Sequence, residues 1–264
     1  MWRTASVIPL ENGIQVTGMG MDPGFHRGDD NAWIPIFAGK TERKVDFEST
    51  VLEYEAPSRG YLMMKRFDCL KAVAALAGDA LVVSSAGAMT LEWNALHPSD
   101  GNLRVRTLGL CSSIALGMAL GLPHRKIIAL DGDGSLLMNL SSLATIARMQ
   151  PKNLTHIVFD NEVYEASGGK KTATGAGTDL VGVARAAGIK YSHWANSVDD
   201  FTAAVTSAMK GGELCFIGAK VTAERTEVPP YPIDEVENKY RFIRHVEKTE
   251  NIEIFKTNLP ASYV

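Results

Sequence analysis

From Met64 to Val221 the apolar positions fall into short runs that alternate between helical and extended spacing. MKRFDCLKAVAALAG (64–78) repeats apolar residues every three or four positions and stops at a glycine, which predicts a helix. ALVVSS (80–85) follows as a compact β-branched run, the pattern of a strand, and AGAMTLEWNAL (86–96) returns to helical spacing. CSSIALGMALGL (111–122) reads as a helix of small residues, with Gly117 and Gly121 four apart for close helix packing. KIIALDGDG (126–134) is a buried strand ending in glycine, and LLMNLSSLATIARM (136–149) is a helix stopped by Pro151. NLTHIVFDN (153–161) is a third strand. DLVGVARAAGI, YSHWAN, VDDFTAAVTSAMKGG and LCFIGAKV then complete two more helix–strand alternations.

Strands and helices alternating at this spacing predict an α/β fold, a parallel sheet with helices on both faces. Ligands of such sheets bind outside the carboxyl ends of the strands, near a topological switch point. SSAG, DGDGS and DNEVY all stand at predicted strand ends, so they can converge on one edge. The flanks differ from this core. Residues 1–62 are rich in Gly, Pro and charge and predict an N-terminal extended arm, with TVLEYEA (50–56) as a short strand candidate. The central domain covers 63–224. Residues 225–264, charged and punctuated by proline, predict a C-terminal arm with one short helix around DEVENKYRFIRHVEK.

Composition narrows the function classes. A formal charge of −3 with no basic stripe argues against nucleic acid. No apolar run approaches a membrane span, and MWRTASVIPLENG lacks the basic start and apolar centre of a signal peptide. Cys69, Cys111 and Cys215 are far apart with no CxxC pair, which fits free thiols in a reducing cytoplasm and disfavours zinc or iron–sulfur sites. The histidines show no metal-ligand spacing, and GDG lacks the third glycine of a dinucleotide fingerprint.

The chemistry concentrates on two strand ends. Asp133 lies between Gly132 and Gly134, whose backbone amides can approach an anion while the following helix offers its positive end. A carboxylate beside such amides would repel a phosphate; a hard divalent cation between them removes the conflict. Asn161 ends the next strand, 28 positions on (161 − 133), so neighbouring parallel strands would set the two side by side. Asp131 reads as the structural acid that closes the strand. Lys170 and Lys171 follow Gly168-Gly169 and could meet an anionic substrate tail or simply face solvent.

GDG followed by an Asn at a strand end after this interval resembles the signature of thiamine-diphosphate-dependent enzymes. Three ordered blocks carry the likeness: TLGLCSSIALGMALGL, IIALDGDGSLLMNLSSLATIA and FDNEVYEASGGKKTATG. The region from about Met64 to Thr222 resembles the diphosphate-binding domain of 2-oxo acid decarboxylases, in particular sulfopyruvate decarboxylase β subunits and phosphonopyruvate decarboxylases. The resemblance implies Mg2+ held by the Asp133 and Asn161 side chains and the Val163 carbonyl. Gly132, Gly134, Ser135 and Tyr164 would lie against the diphosphate of thiamine diphosphate, with Gly87 a further loop residue. Leu108 matches the apolar residue wedged between the two cofactor rings, and Gly109 after it is counted with the cofactor-binding residues. Some phosphonopyruvate enzymes carry a His after that glycine; here it is Leu110, and no acid–base role follows.

The same resemblance implies an activating Glu on a pyrimidine-binding domain, about one α/β domain in size. Residues 1–62 are too short and irregular for one, and nothing places Glu48, Glu53 or Glu55 at a site. The expectation is therefore a cytoplasmic hetero-oligomer in which an α-type partner supplies that Glu, and no catalytic residue is assigned on this chain. The reaction expected is decarboxylation (a lyase) of a small anionic 2-oxo acid. A carboligase subunit of acetolactate-synthase type and a non-catalytic scaffold are the alternatives.

Overall fold

The computed structural model describes residues 8–10, 13–15 and 63–255. The chain divides into two compact units, Met1–Tyr54 and Glu55–Val264. In the first, β1 (Ile8–Leu10) and β2 (Gly13–Gln15) pair antiparallel, Ile8 opposite Gln15. The expected strand at 50–56 and the carboxyls of Glu48, Glu53 and Glu55 lie outside the described residues.

The second unit runs α1 (Arg66–Ala77), β3 (Leu81–Ser85), α2 (Ala88–Leu96), β4 (Asn102–Val105), α3 (Cys111–Gly121) and β5 (Ile127–Gly132). It continues through α4 (Asp133–Leu137), α5 (Ser142–Met149), β6 (Leu154–Asp160), and the short hairpin of β7 (Val163–Tyr164) and β8 (Lys170–Lys171). Then come α6 (Leu180–Ala187), β9 (Tyr191–Ala195), α7 (Val198–Lys210), β10 (Cys215–Lys220) and α8 (Glu235–Glu250). Six strands form one parallel sheet in the order β4-β3-β5-β6-β10-β9. Period-two alternation divides the buried strand residues between two cores. Val83, Ala129, Val158 and Phe216 meet α3, α5, α6 and α8 on one face, while Val82, Ile128, Ile157 and Ile217 meet α1, α2 and α7 on the other. Helices therefore cover both faces, as the pattern predicted.

Local chemistry explains most boundaries. The Asp179 and Ser197 side chains accept N–H bonds from Gly182 and Asp200 and start α6 and α7. Three features depart from the sequence reading. The single helix expected over 136–149 is two, α4 beginning at Asp133 and α5 at Ser142, with Met138–Ser141 between them. β4 was not expected, and it forms the sheet edge. Gly117 and Gly121 do not serve close packing among the described residues, since a Cβ at either would meet none of them within 4 Å.

The segment read as a C-terminal arm carries the expected helix, and that helix is packed onto the sheet. Phe242 and Val246 of α8 are buried in the first core. Asn238 accepts the Arg104 N–H (2.9 Å) and donates to the Asn102 carbonyl (2.9 Å), so α8 satisfies the backbone of an otherwise open edge strand.

Candidate active site

The strand order places a switch point between β3 and β5. β3 leads through α2 to β4 on one side, and β5 leads through α4 and α5 to β6 on the other. A cleft opens at these carboxyl ends. Gly87, Leu108, Gly132, Asp133, Gly134, Ser135, Asn161, Val163 and Tyr164 all line it. Gly109 stands just behind, and Lys170 and Lys171, exposed on β8, are not among the lining residues.

Asp133 opens α4 with its carboxylate buried, 3% exposed. Its Oδ2 accepts from Thr172 Oγ1 (2.6 Å) and lies 3.1 Å from Thr174 Oγ1, which also reaches Asp160 Oδ1 (2.7 Å). Gly132 pairs with Phe159 across β5 and β6, so the next residues, Asp133 and Asp160, are neighbours. Burial first, then the Asp160 charge, push the Asp133 carboxyl up to about 6, against its bonds to Thr172, the Gly134 N–H and Thr174. Asp160 has a cation of its own, Lys220 Nζ at 2.9 Å, which also binds Glu162 Oε1 (2.7 Å). Burial alone would pull the Lys220 ammonium down, but the two carboxylates outweigh it and raise its pKa.

Among the described residues no Lys or Arg pairs with Asp133. A buried, electrostatically crowded carboxylate beside a neutral amide oxygen suits a hard cation that takes its other ligands from a phosphate. Among the described residues no cluster of three or more His, Cys, Asp or Glu could hold a metal without such help. Asn161 lines the same cleft as Asp133, its Oδ1 accepting the Val163 N–H (3.1 Å) and its Nδ2 donating to Glu165 Oε1 (2.5 Å).

The glycines divide their work. Gly87 (φ +127°) requires a backbone that other residues rarely adopt, and a Cβ there would enter open space. Gly134, which lines the cleft, also makes room for the Tyr164 ring: a Cβ there would sit 2.5 Å from it. α4 has five residues, so its end supplies backbone amides with little macrodipole behind them. Ser135 Oγ accepts the Gly109 N–H (3.2 Å) and Asn139 Nδ2 donates to the Gly109 carbonyl (2.9 Å), which together fix the turn that presents Leu108. Asp131 is fully buried, its Oδ1 accepting the Gly132 N–H (3.0 Å), in keeping with a structural role at the strand end.

Sequence reading missed Thr172, Thr174, Asn139, Lys220 and the acid–base network of Arg66, Glu92 and Glu165. Only for the two threonines was there a usable signal, hydroxyls alternating directly after the closing loop.

A doubly covered parallel sheet with a carboxylate, a side-chain amide and a glycine turn lining a cleft at its switch point is the architecture of an α/β ligand-binding domain. Residues 94–219 match the family described as thiamine pyrophosphate enzyme, C-terminal TPP binding domain. The sulfopyruvate decarboxylase β subunit of Methanocaldococcus jannaschii is 33% identical over 187 residues, 70% of this chain and 98% of that one. Phosphonopyruvate decarboxylase of Streptomyces viridochromogenes is 38% identical over 161 residues, 60% of this chain and 40% of that protein. Benzoylformate decarboxylase from Polynucleobacter necessarius has the same fold at 19% identity and a TM-score of 0.55, over 66% of this chain and 36% of that one. The chain belongs to the thiamine pyrophosphate enzymes, in the family that holds the sulfopyruvate decarboxylase β subunits and phosphonopyruvate decarboxylases.

Proposed function

We propose that this chain is the diphosphate-binding subunit of a heteromeric, thiamine-diphosphate-dependent decarboxylase acting on a small anionic 2-oxo acid. The observation that carries the reading is the presence of Asp133 and Asn161 in one cleft, in a chain whose match spans 98% of a relative named as a β subunit but 40% of a phosphonopyruvate decarboxylase. The enclosed space of the cleft gives independent support. It measures about 80 Å³, below the roughly 300–1,000 Å³ of pockets that bury a drug-sized ligand. Leu110 and Met138, beside Leu108 and the Gly109 turn, are 42% and 60% exposed, as suits residues that a partner covers.

In this reading Asp133, Asn161 and the Val163 carbonyl hold Mg2+. Gly87, Gly132, Ser135 and Tyr164 border the diphosphate, and Leu108 supports the bend between the cofactor rings. Thiamine diphosphate, when bound, supplies the electron sink for loss of CO2 from a 2-oxo acid. This chain orients the cofactor, excludes water from the diphosphate and keeps the cation in place. The proton relay through an activating Glu falls to the α-type partner. A carboligase outcome would be decided by pocket residues on that partner, and the longer matches to decarboxylases favour the decarboxylase reading.

The test is calorimetric titration of thiamine diphosphate with Mg2+ into the chain and into Asp133→Ala. Binding by the first and its loss in the second is expected. Equal binding by both would remove Asp133 from the site and with it this reading.

A further inference from the structure

The amide of Asn161 stands between one donor and one acceptor, and each accepts only one of its ends. The Val163 N–H can only donate, and it meets Oδ1 at 3.1 Å. The Glu165 carboxylate can only accept, and its Oε1 meets Nδ2 at 2.5 Å. Reversing the amide would set donor against donor and acceptor against acceptor, so the two neighbours together fix which end is oxygen.

Glu165 is itself held. Arg66 Nη1 donates to the same Oε1 (2.9 Å), Arg225 Nε to Oε2 (3.2 Å), and Arg225 Nη2 to the Glu165 carbonyl (3.3 Å). Arg66 is gripped in turn by Glu92 through two bonds, Nε to Oε2 at 2.8 Å and Nη2 to Oε1 at 3.1 Å. Arg66 and Glu92 are 5% and 1% exposed, and the Thr226 N–H closes the set on Glu92 Oε1 (3.0 Å). Buried ion pairs are poor stabilisers because desolvation offsets their attraction, so this one calls for a role beyond stability.

We propose that Glu165 is a positioning residue: anchored by Arg66, it accepts Asn161 Nδ2 and thereby turns the amide oxygen of Asn161 to the cation site shared with Asp133. The proposal deepens, and rests on, the reading of Asn161 as a cation ligand. The role needs an acceptor rather than a charge. Glu165→Gln keeps an Oε1 for both Asn161 and Arg66 and turns its NH2 only towards Arg225, whose side chain is 57% exposed. Glu165→Ala leaves the Val163 N–H as the sole guide.

Mn2+ binding to the full chain with thiamine diphosphate, read as free Mn2+ by electron paramagnetic resonance, tests this. Glu165→Ala is expected to weaken Mn2+ by about 10–100-fold and Glu165→Gln by no more than about threefold, with Asp133→Ala abolishing binding. Wild-type affinity in Glu165→Ala, alongside loss in Asp133→Ala, overturns the proposal and leaves the cation site standing. A loss in Glu165→Gln as deep as in Glu165→Ala also overturns it, because charge would then be the requirement. No Mn2+ bound by the wild type overturns the proposal and the cation reading together. Nuclear magnetic resonance of the metal-free chain keeps the test open where Glu165→Ala fails to fold. The Asn161 Nδ2 protons, assigned by their loss in Asn161→Ser, are expected downfield of the usual asparagine range, and ordinary positions would contradict the proposal.

Discussion

Asp133 sits where burial and a neighbouring carboxylate both oppose its charge, and this has a consequence for stability that can be read without the cofactor. Its folded pKa, about 6, lies above its ordinary value of 3.8, so the folded chain takes up the proton more readily than the unfolded one. That contribution is fully present below about pH 4 and is lost as pH rises through 6. A gap of about 2 units corresponds to a cost on the order of 2–3 kcal/mol for the ionised, cation-free form. Asp133→Asn should therefore make the cofactor-free chain more stable than wild type at pH 7–8, with the difference vanishing near pH 4. Urea unfolding at the two pH values checks this; a variant less stable than wild type at pH 8 would contradict the assigned crowding. Asp133 and Asn161 were legible in the sequence because each ends a strand, and strand spacing alone makes them neighbours. The partners of Thr172, Thr174 and Glu165 were not, because a loop must fold back before these side chains reach Asp133 and Asn161; the alternating hydroxyls of the two threonines mark the place without saying what they meet.

At the scale of elements, the interior strands could be read from their apolar stretches, and the edge strand β9 from its place in the helix–strand alternation. β3 and β6 carry apolar stretches, Leu81–Val83 and Ile157–Phe159, and every residue of both is buried, the mark of interior parallel strands. β4 escaped because Asn102–Val105 is a four-residue edge strand, buried only at its ends, with two polar residues among the four. Its missing partner comes from more than 130 positions away, in Asn238 of α8. The break between α4 and α5 escaped for a related reason. The apolar pattern runs on through it, whereas Asn139 in the gap is committed to Gly109. Asn238→Ala would strip a partner from both the Arg104 N–H and the Asn102 carbonyl, and should cost about 2 kcal/mol or more. Chemical denaturation measures it; a change under 0.5 kcal/mol, the scale of an ordinary surface substitution, would mean that α8 does not hold the sheet edge.

For the whole molecule, the proposed function makes the cleft one side of a site. Asp133, Asn161 and the glycines line it, its cavity is small, and apolar Leu110 and Met138 stand exposed beside Leu108 and the Gly109 turn. The match over 70% of this chain and 98% of a protein named as a β subunit agrees with a site completed by another chain. No described helix is long and apolar enough to cross a membrane. The most direct test of the account is CO2 release from sulfopyruvate and phosphonopyruvate, with thiamine diphosphate and Mg2+, by this chain alone, with a pyrimidine-domain partner, and with that partner and Asp133→Ala. The account predicts release only from wild type with its partner. Thiamine-dependent turnover by the chain alone, or undiminished turnover with Asp133→Ala, would contradict it.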